Sequence, residues 1–184
     1  MRLTRFIETY LKDAKGVAAI APTSRFGVRK VLSKIDFSKR SVIVEYGPGD
    51  GVFSKEILKH MTDDSKLILI ETNDEFVKEL QSISDQRLFV FRESAENISK
   101  VLSHAGEKNA DYVISGIPFS HIPDKVKHEI IKNTHTSLNS GGKFLIYQYS
   151  HKIRPFLRHT FSDIKSTIEP RNVFPLFINE AIKW

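Results

Sequence analysis

Cysteine is absent from all 184 residues. No disulfide framework, thiolate metal site or cysteine nucleophile is therefore available, which fits a reducing compartment. No stretch approaches the roughly 20 consecutive apolar residues that a bilayer-crossing helix needs. The N-terminus also lacks the apolar core and small-residue cleavage site of a secretory signal, so the expected location is the cytoplasm. The histidines at 60, 104, 121, 128, 135, 151 and 159 follow no ligand spacing, and no metal is expected. Repeats, low-complexity tracts and linker-like runs are missing too, which leaves one domain. Acidic residues are in short supply, 22 against 28 Lys and Arg, for a net charge of +6. That balance biases the chain toward polyanions, either nucleic acid or an anionic lipid surface, and charge alone does not separate the two.

What is present begins with Val42-Ile43-Val44-Glu45-Tyr46-Gly47-Pro48-Gly49-Asp50-Gly51, followed about 20 residues later by Leu67-Ile68-Leu69-Ile70-Glu71. A β-branched run ending in alternating glycines is a buried parallel strand feeding a tight turn, where missing Cβ atoms let backbone approach a ligand. Glu71, closing the next strand, is placed to accept hydrogen bonds from both hydroxyls of a ribose. The glycine pattern is G-x-G-x-G rather than the dinucleotide G-x-G-x-x-G, and Asp50 intrudes where a phosphate would approach. Glu45, at the strand end, suits a cationic amino group. The site is complementary to an amino-acid nucleoside, and the expected cofactor is S-adenosylmethionine.

Around this unit strand and helix alternate. Strands are expected at 41–45, 66–70, 88–91, 112–115 and 143–149, with helices near 53–60, 74–80, 95–104 and 123–138 and Gly141-Gly142 as the turn into the fifth strand. Residues 165–172 and 176–183 read as two further strands joined at Pro175, an antiparallel addition. At the N-terminus, Leu3, Phe6, Ile7, Tyr10, Leu11 and Ala14 recur at helical spacing with Arg2, Arg5, Lys12 and Lys15 on other faces, a basic amphipathic helix. Such a helix either lies on a membrane or packs on its own domain. A second helix is expected from near Ser24 toward Ile35, its outer face carrying Arg25, Arg29, Lys30 and Lys34.

In an open α/β sheet the ligand lies outside the carboxyl ends of the strands, so the loop after strand four faces the cofactor. That loop reads Ser115-Gly116-Ile117-Pro118-Phe119, a proline-stiffened segment suited to holding an amine in line with a methyl donor. Phe119, Tyr147 and Tyr149 are candidate rings around an ammonium, with core packing as the alternative. His121, Tyr149 and His151 are candidate acceptors for the amine proton, His121 first because it follows the loop directly. Arg25, Arg29 and Lys30 read equally well as contacts to lipid phosphate or as a solvated helix face.

The segments 19–25 (Ala-Ile-Ala-Pro-Thr-Ser-Arg), 44–53, 113–119 and 144–149 resemble bacterial phospholipid N-methyltransferases, which methylate phosphatidylethanolamine toward phosphatidylcholine and are relatives of the ribosomal RNA adenine dimethylases. The resemblance implies a single Rossmann-like class I methyltransferase domain at 36–184, with a mostly parallel seven-stranded sheet and an antiparallel C-terminal strand. N-terminal amphipathic helices at 1–35 would cover the site or touch the membrane. It implies cofactor contacts from Glu45, Gly47, Pro48, Gly49, Gly51, Val52, Phe53, Glu71, Thr72, Ser94, Ala95 and Ser115. Substrate contacts are expected from Ser115, Gly116, Ile117, Pro118, Phe119, Tyr147 and Arg25, with His121 and Tyr149 catalytic. A monomer on the inner face of the cytoplasmic membrane is expected, with phospholipid rather than nucleic acid as partner.

Two departures stand out. Where the family has Gly-Asp-Ala, this chain has Glu93-Ser94-Ala95, so the Ser94 hydroxyl replaces the acid that contacts the adenine amine. Where the adenine dimethylases carry Asn-Leu-Pro-Tyr or Asn-Leu-Pro-Phe, this chain has Gly116-Ile117-Pro118-Phe119, which removes the side-chain carbonyl that would accept from an adenine amino group. An RNA adenine methyltransferase is the alternative activity, and a non-catalytic cofactor-binding protein a third reading.

Overall fold

Short β-branched runs with no polar face can be satisfied only as central parallel strands covered on both sides. In the computed structural model, which describes residues 23–172 and 174–184, they are. Val42–Tyr46 (β1), Lys66–Glu71 (β2), Leu88–Arg92 (β3), Ala110–Ser115 (β4), Leu138–Gln148 (β5), Asp163–Glu169 (β6) and Leu176–Ile182 (β7) form one sheet in the order β3-β2-β1-β4-β5-β7-β6. β1 to β5 pair in parallel, and β7 is inserted antiparallel between β5 and β6. The expected antiparallel addition is thus β7, and β6 runs in the same sense as the first five strands. The order reverses between β1 and β4, which opens a crevice at their carboxyl ends.

Helices cover both faces. Arg25–Leu32 (α1), Val52–His60 (α2) and Asp74–Gln81 (α3) pack on the side carrying Ile43, Leu67, Leu69, Ile114 and Leu145. Ile98–His104 (α4), Asp124–Ser137 (α5) and Arg154–Arg158 (α6) pack on the side of Val42, Val44, Ile68, Val113, Phe144 and Ile146. The strand period of two divides each strand between these layers and sends Glu45 to the first and Tyr46 to the second. The Tyr46 hydroxyl meets the Thr134 hydroxyl at 2.9 Å within that second layer.

The expected helix at 95–104 divides into a 3-10 turn, Ala95–Asn97, and α4, because Ser94 caps a separate short turn. β5 starts five residues before the expected 143. Gly141 and Gly142 lie in an irregularity where its register against β4 shifts, rather than in a turn leading into the strand. β6 ends at Glu169 because Pro170 donates no ladder hydrogen bond. α6, five residues with a proline in its first turn, is too short for a periodic signal. The amphipathic stretch expected at 2–15, and residues 19–22 of the first resembling segment, lie outside the described residues.

Phe144 organises the second layer. It is fully buried, with the rings of Tyr46, Phe119 and Phe161 at centroid distances of 6.2, 6.5 and 6.3 Å. Phe144→Ala is expected to destabilise the fold by about 3–5 kcal/mol, read as a lower urea midpoint at an unchanged slope.

Candidate active site

The carboxyl ends of β1, β2 and β4 deliver Glu45, Glu71 and Ser115 to the crevice, all three buried. Glu71 is fixed by backbone donors. Its Oε1 accepts from the amides of Thr72 at 2.6 Å and Asn73 at 2.9 Å, and its Oε2 from the amide of Gly49 at 3.3 Å. The acid and the glycine loop, 22 residues apart, are therefore one hydrogen-bonded unit. Gly49 has φ +57°, a region that suits glycine, and the space where its Cβ would stand is empty out to 4 Å. Gly47 and Gly51 also have positive φ, Pro48 is buried between them, and Asp50 is exposed at the tip.

Glu45 is wholly buried on the α2 side. Its Oε2 accepts from the Ser54 hydroxyl at 2.6 Å, while its Oε1 has no partner among the described residues. An orphaned buried oxygen of this kind is expensive unless a donor arrives. Burial, aided by the nearby carboxylates of Glu71 and Asp50 and opposed by the Ser54 hydroxyl, pushes the Glu45 carboxyl up to about 8. Two buried carboxylates and an open glycine bend fit the expected cofactor. Glu71 would take the ribose hydroxyls, Glu45 the amino group, and the loop backbone the space between.

The loop after β4 is covered by Tyr147. Its ring stacks on Phe53, the second residue of α2, at 4.3 Å between centroids and 21° between planes. It lies so close over Gly116 that a Cβ built there would stand 2.5 Å from the Tyr147 Oη and 2.8 Å from its Cζ. Burial holds the Tyr147 phenol well above its ordinary value, with Glu45, Asp50 and Tyr149 adding to the effect, so it stays neutral. Ser115 Oγ accepts from the amide of Ile117 at 3.3 Å, and the Cγ1 of Ile117, itself buried, would stand 3.3 Å from a Cβ built on Gly47. The loops after β1 and β4 are thereby in contact. Thr72 and Ala95 are buried at the same edge, while Val52 is exposed.

Not every expected residue joins this cluster. Phe119 does not stand with Tyr147 and Tyr149, which corrects the expected trio of rings. After Pro118 the chain enters a 3-10 turn, Phe119–His121, that folds the Phe119 ring back onto Phe144 on the opposite layer, 1% exposed. Tyr147 and Tyr149 do share one side of the sheet, packed against the first layer. The Tyr149 hydroxyl accepts from Asn172 Nδ2 at 3.4 Å. His121 is exposed with its Nδ1 at 2.9 Å from the Ser120 hydroxyl, and His151 is exposed against Phe177. Arg25 is exposed at the start of α1, over the ring of Phe26.

The Ser94 hydroxyl is engaged within its own turn, donating to Glu96 Oε2 at 2.8 Å and receiving the Glu96 amide at 3.4 Å. The turn thus holds two carboxylates beside the end of β3, Glu93, which accepts from the Ser94 amide and Asn97 Nδ2, and Glu96, which sequence reasoning passed over. Its sequence signal was its place two residues after Ser94. Phe53 was expected as a cofactor contact, but its role as the floor under Tyr147 was missed, because a stack between residues 94 positions apart leaves no local pattern.

Two outcomes follow. The folded chain keeps a proton on Glu45 that an ordinary glutamate loses near 4.5, so this group's contribution to stability is present below that value and is lost as pH rises toward 8. A cationic ligand instead requires the proton to leave. S-adenosylmethionine affinity, measured by calorimetry, should therefore rise by up to roughly tenfold per pH unit below about pH 8 and then level, with Glu45→Gln abolishing the dependence. Gly116→Ala should displace the Tyr147 ring. It should lower methyl transfer at least about tenfold with cofactor binding retained; full activity would show that the contact is inconsequential.

Residues 22–175 match the family model described as Methyltransferase small domain. The chain is similar to the ornithine lipid N-methyltransferase of Singulisphaera acidiphila, 25% identical over 173 residues that cover 92% of this chain and 90% of that protein. In structure it is similar to precorrin-6y C5,15-methyltransferase from Geobacter metallireducens, with a TM-score of 0.68 at 17% identity over 91% of this chain and 93% of that one. It is also similar to 1,6-didemethyltoxoflavin-N1-methyltransferase from Burkholderia thailandensis, solved with S-adenosylhomocysteine, with a TM-score of 0.69 at 13% identity over 98% and 87%. The structural likenesses carry the fold alone, whereas the family match takes in the glycine loop, both buried carboxylates and the loop after β4. The chain belongs to the Methyltransferase small domain family and is a methyltransferase that uses S-adenosylmethionine.

Proposed function

We propose that this enzyme N-methylates the amine of a membrane lipid head group, phosphatidylethanolamine being the first candidate, while lying peripherally on the membrane. The observation that carries the reading is the contact of Tyr147 with Gly116. An amide side chain at 116, which would recognise an adenine amino group, has no room under that ring. The site offers an aliphatic amine a neutral aromatic surface and backbone carbonyls instead. The similarity to an ornithine lipid N-methyltransferase supports a lipid amine as acceptor. The net charge of +6 supports attraction to an anionic surface.

When bound, the cofactor supplies an activated methyl group on a sulfonium, so no strong nucleophile is required of the protein. The residues of this chain align and desolvate the acceptor. Tyr147, held flat by Phe53, presents a π face to an ammonium that gains alkyl groups, an interaction worth roughly 0.5–2 kcal/mol. The phenol remains neutral and serves as a hydrogen-bond partner rather than an anion. The amine proton leaves toward solvent through Tyr149, on the same side of the sheet, or through His121, on the exposed turn following the substrate loop.

Methyl-labelled S-adenosylmethionine offered to phosphatidylethanolamine vesicles and to total RNA tests the reading. Label is expected in lipid and not in RNA, with thin-layer separation giving the number of methyl groups. Label in RNA alone would establish the adenine-methylating alternative, and label in neither would remove both.

A further inference from the structure

Between the first turns of α1 and α2 lies a half-open groove of about 260 Å3, lined by Thr23, Arg25, Val28, Arg29, Val52 and Glu56. Arg25 and Arg29, four apart on α1, project from one face of the helix. Arg40, Arg87, Arg92 and Arg171 each pair with a carboxylate, whereas among the described residues Arg25 and Arg29, like Arg154 and Arg158 elsewhere, make no ion pair. Among the described residues the single acid in the wall, Glu56, is already held by Lys59 Nζ at 2.9 Å and His60 Nε2 at 3.3 Å. The groove is therefore a cationic concavity. It is too small for a drug-sized molecule and suited to a compact anion flanked by methylenes against Val28 and Val52.

Its position relates it to the chemistry. Val52, 40% exposed, directly follows Gly51 of the cofactor loop, and the next residue, Phe53, carries Tyr147. The opposite wall is tied to the end of the sheet. The Ser24 amide donates to Asn172 Oδ1 at 2.6 Å, and Asn172 Nδ2 donates to the Tyr149 hydroxyl. Through Val52 on one wall and Thr23 on the other, the groove adjoins the segments that carry the glycine loop, Tyr147 and Tyr149.

We propose that this groove is a head-group subsite in which Arg25 and Arg29 grip the anionic group, carboxylate or phosphodiester, of a zwitterionic amino-lipid while its amine reaches toward Tyr147. The assignment rests on the lipid-amine reading above and narrows it to head groups carrying both charges. Both anions offer paired oxygens, which a guanidinium engages through two parallel hydrogen bonds. A simple long-chain amine has the acceptor nitrogen but nothing for the arginines.

The test uses the full chain saturated with S-adenosylhomocysteine, titrated calorimetrically with dihexanoyl-phosphatidylethanolamine, an N-acylornithine, octylamine and inorganic phosphate. The double variant Arg25→Gln/Arg29→Gln is compared with wild type, and Arg25→Lys/Arg29→Lys keeps the charge without the fork. S-adenosylhomocysteine binding reports whether each variant is folded. In wild type the two zwitterions should bind better than octylamine, and the glutamine pair should cut that ratio at least tenfold, with the lysine pair intermediate. An unchanged ratio, or wild-type binding of neither zwitterion, overturns the subsite. Arginine-dependent binding of inorganic phosphate alone overturns the lipid assignment. Should the arginine-dependent ratio appear while no lipid is methylated, the methylation reading falls and the subsite stands. Methylated lipid with an arginine-independent ratio gives the converse.

Discussion

Two carboxylic side chains, Glu45 and Glu71, are buried at the carboxyl end of the sheet, and the rest of the site is arranged around keeping both there. Like charges in a water-poor crevice repel, and each needs donors. Glu71 is satisfied by three backbone amides, one of them from the glycine loop itself, so its carboxylate helps to fix the shape of the bend that would hold the cofactor. Glu45 is left one donor short, with a raised proton affinity. A ligand bringing hydroxyls to one acid and a positive charge to the other completes the arrangement.

The fold converts this electrostatic constraint into a surface with two sides. The strand period sends Glu45 to the layer of α1 and α2, and the same layer carries Phe53, Tyr147 and Tyr149. Cofactor loop, aromatic floor and the arginines of α1 thus lie on one face of the sheet. The opposite layer, built around Phe144, claims Phe119 and supports the loop after β4 from behind. Phe119 therefore anchors the loop after β4 to the core, while Tyr147 covers it from the other side.

Where the pattern is local, the sequence is a good guide. The β-branched runs of β1, β2 and β4 predict buried parallel strands because an all-apolar strand has no other stable environment. The Gly47-to-Gly51 bend and Glu71 predict each other's neighbourhood because the βαβ unit returns the chain at a fixed distance. The less legible elements have equally physical causes. α6 is one turn long, the Ala95–Asn97 turn is capped by a serine that also reads as a ligand, and β5 absorbs its glycines in a register shift rather than a turn. Neither layer assignment nor a stack across 94 residues can be read from neighbours in the chain.

The amino-acid sequence by itself determined the parallel sheet, the glycine bend, the two acids and hence the class of cofactor, since all of these follow from spacing within a single βαβ unit. Only the tertiary structure decided what surrounds the loop after β4. Tyr147 covers Gly116 and excludes an amide there, Phe119 turns into the core, and Arg25 and Arg29 line a groove beside the cofactor loop. Those outcomes depend on how segments 23 to 31 residues apart pack against one another, and packing between separate segments is fixed by the sum of core contacts rather than by any local run of residues.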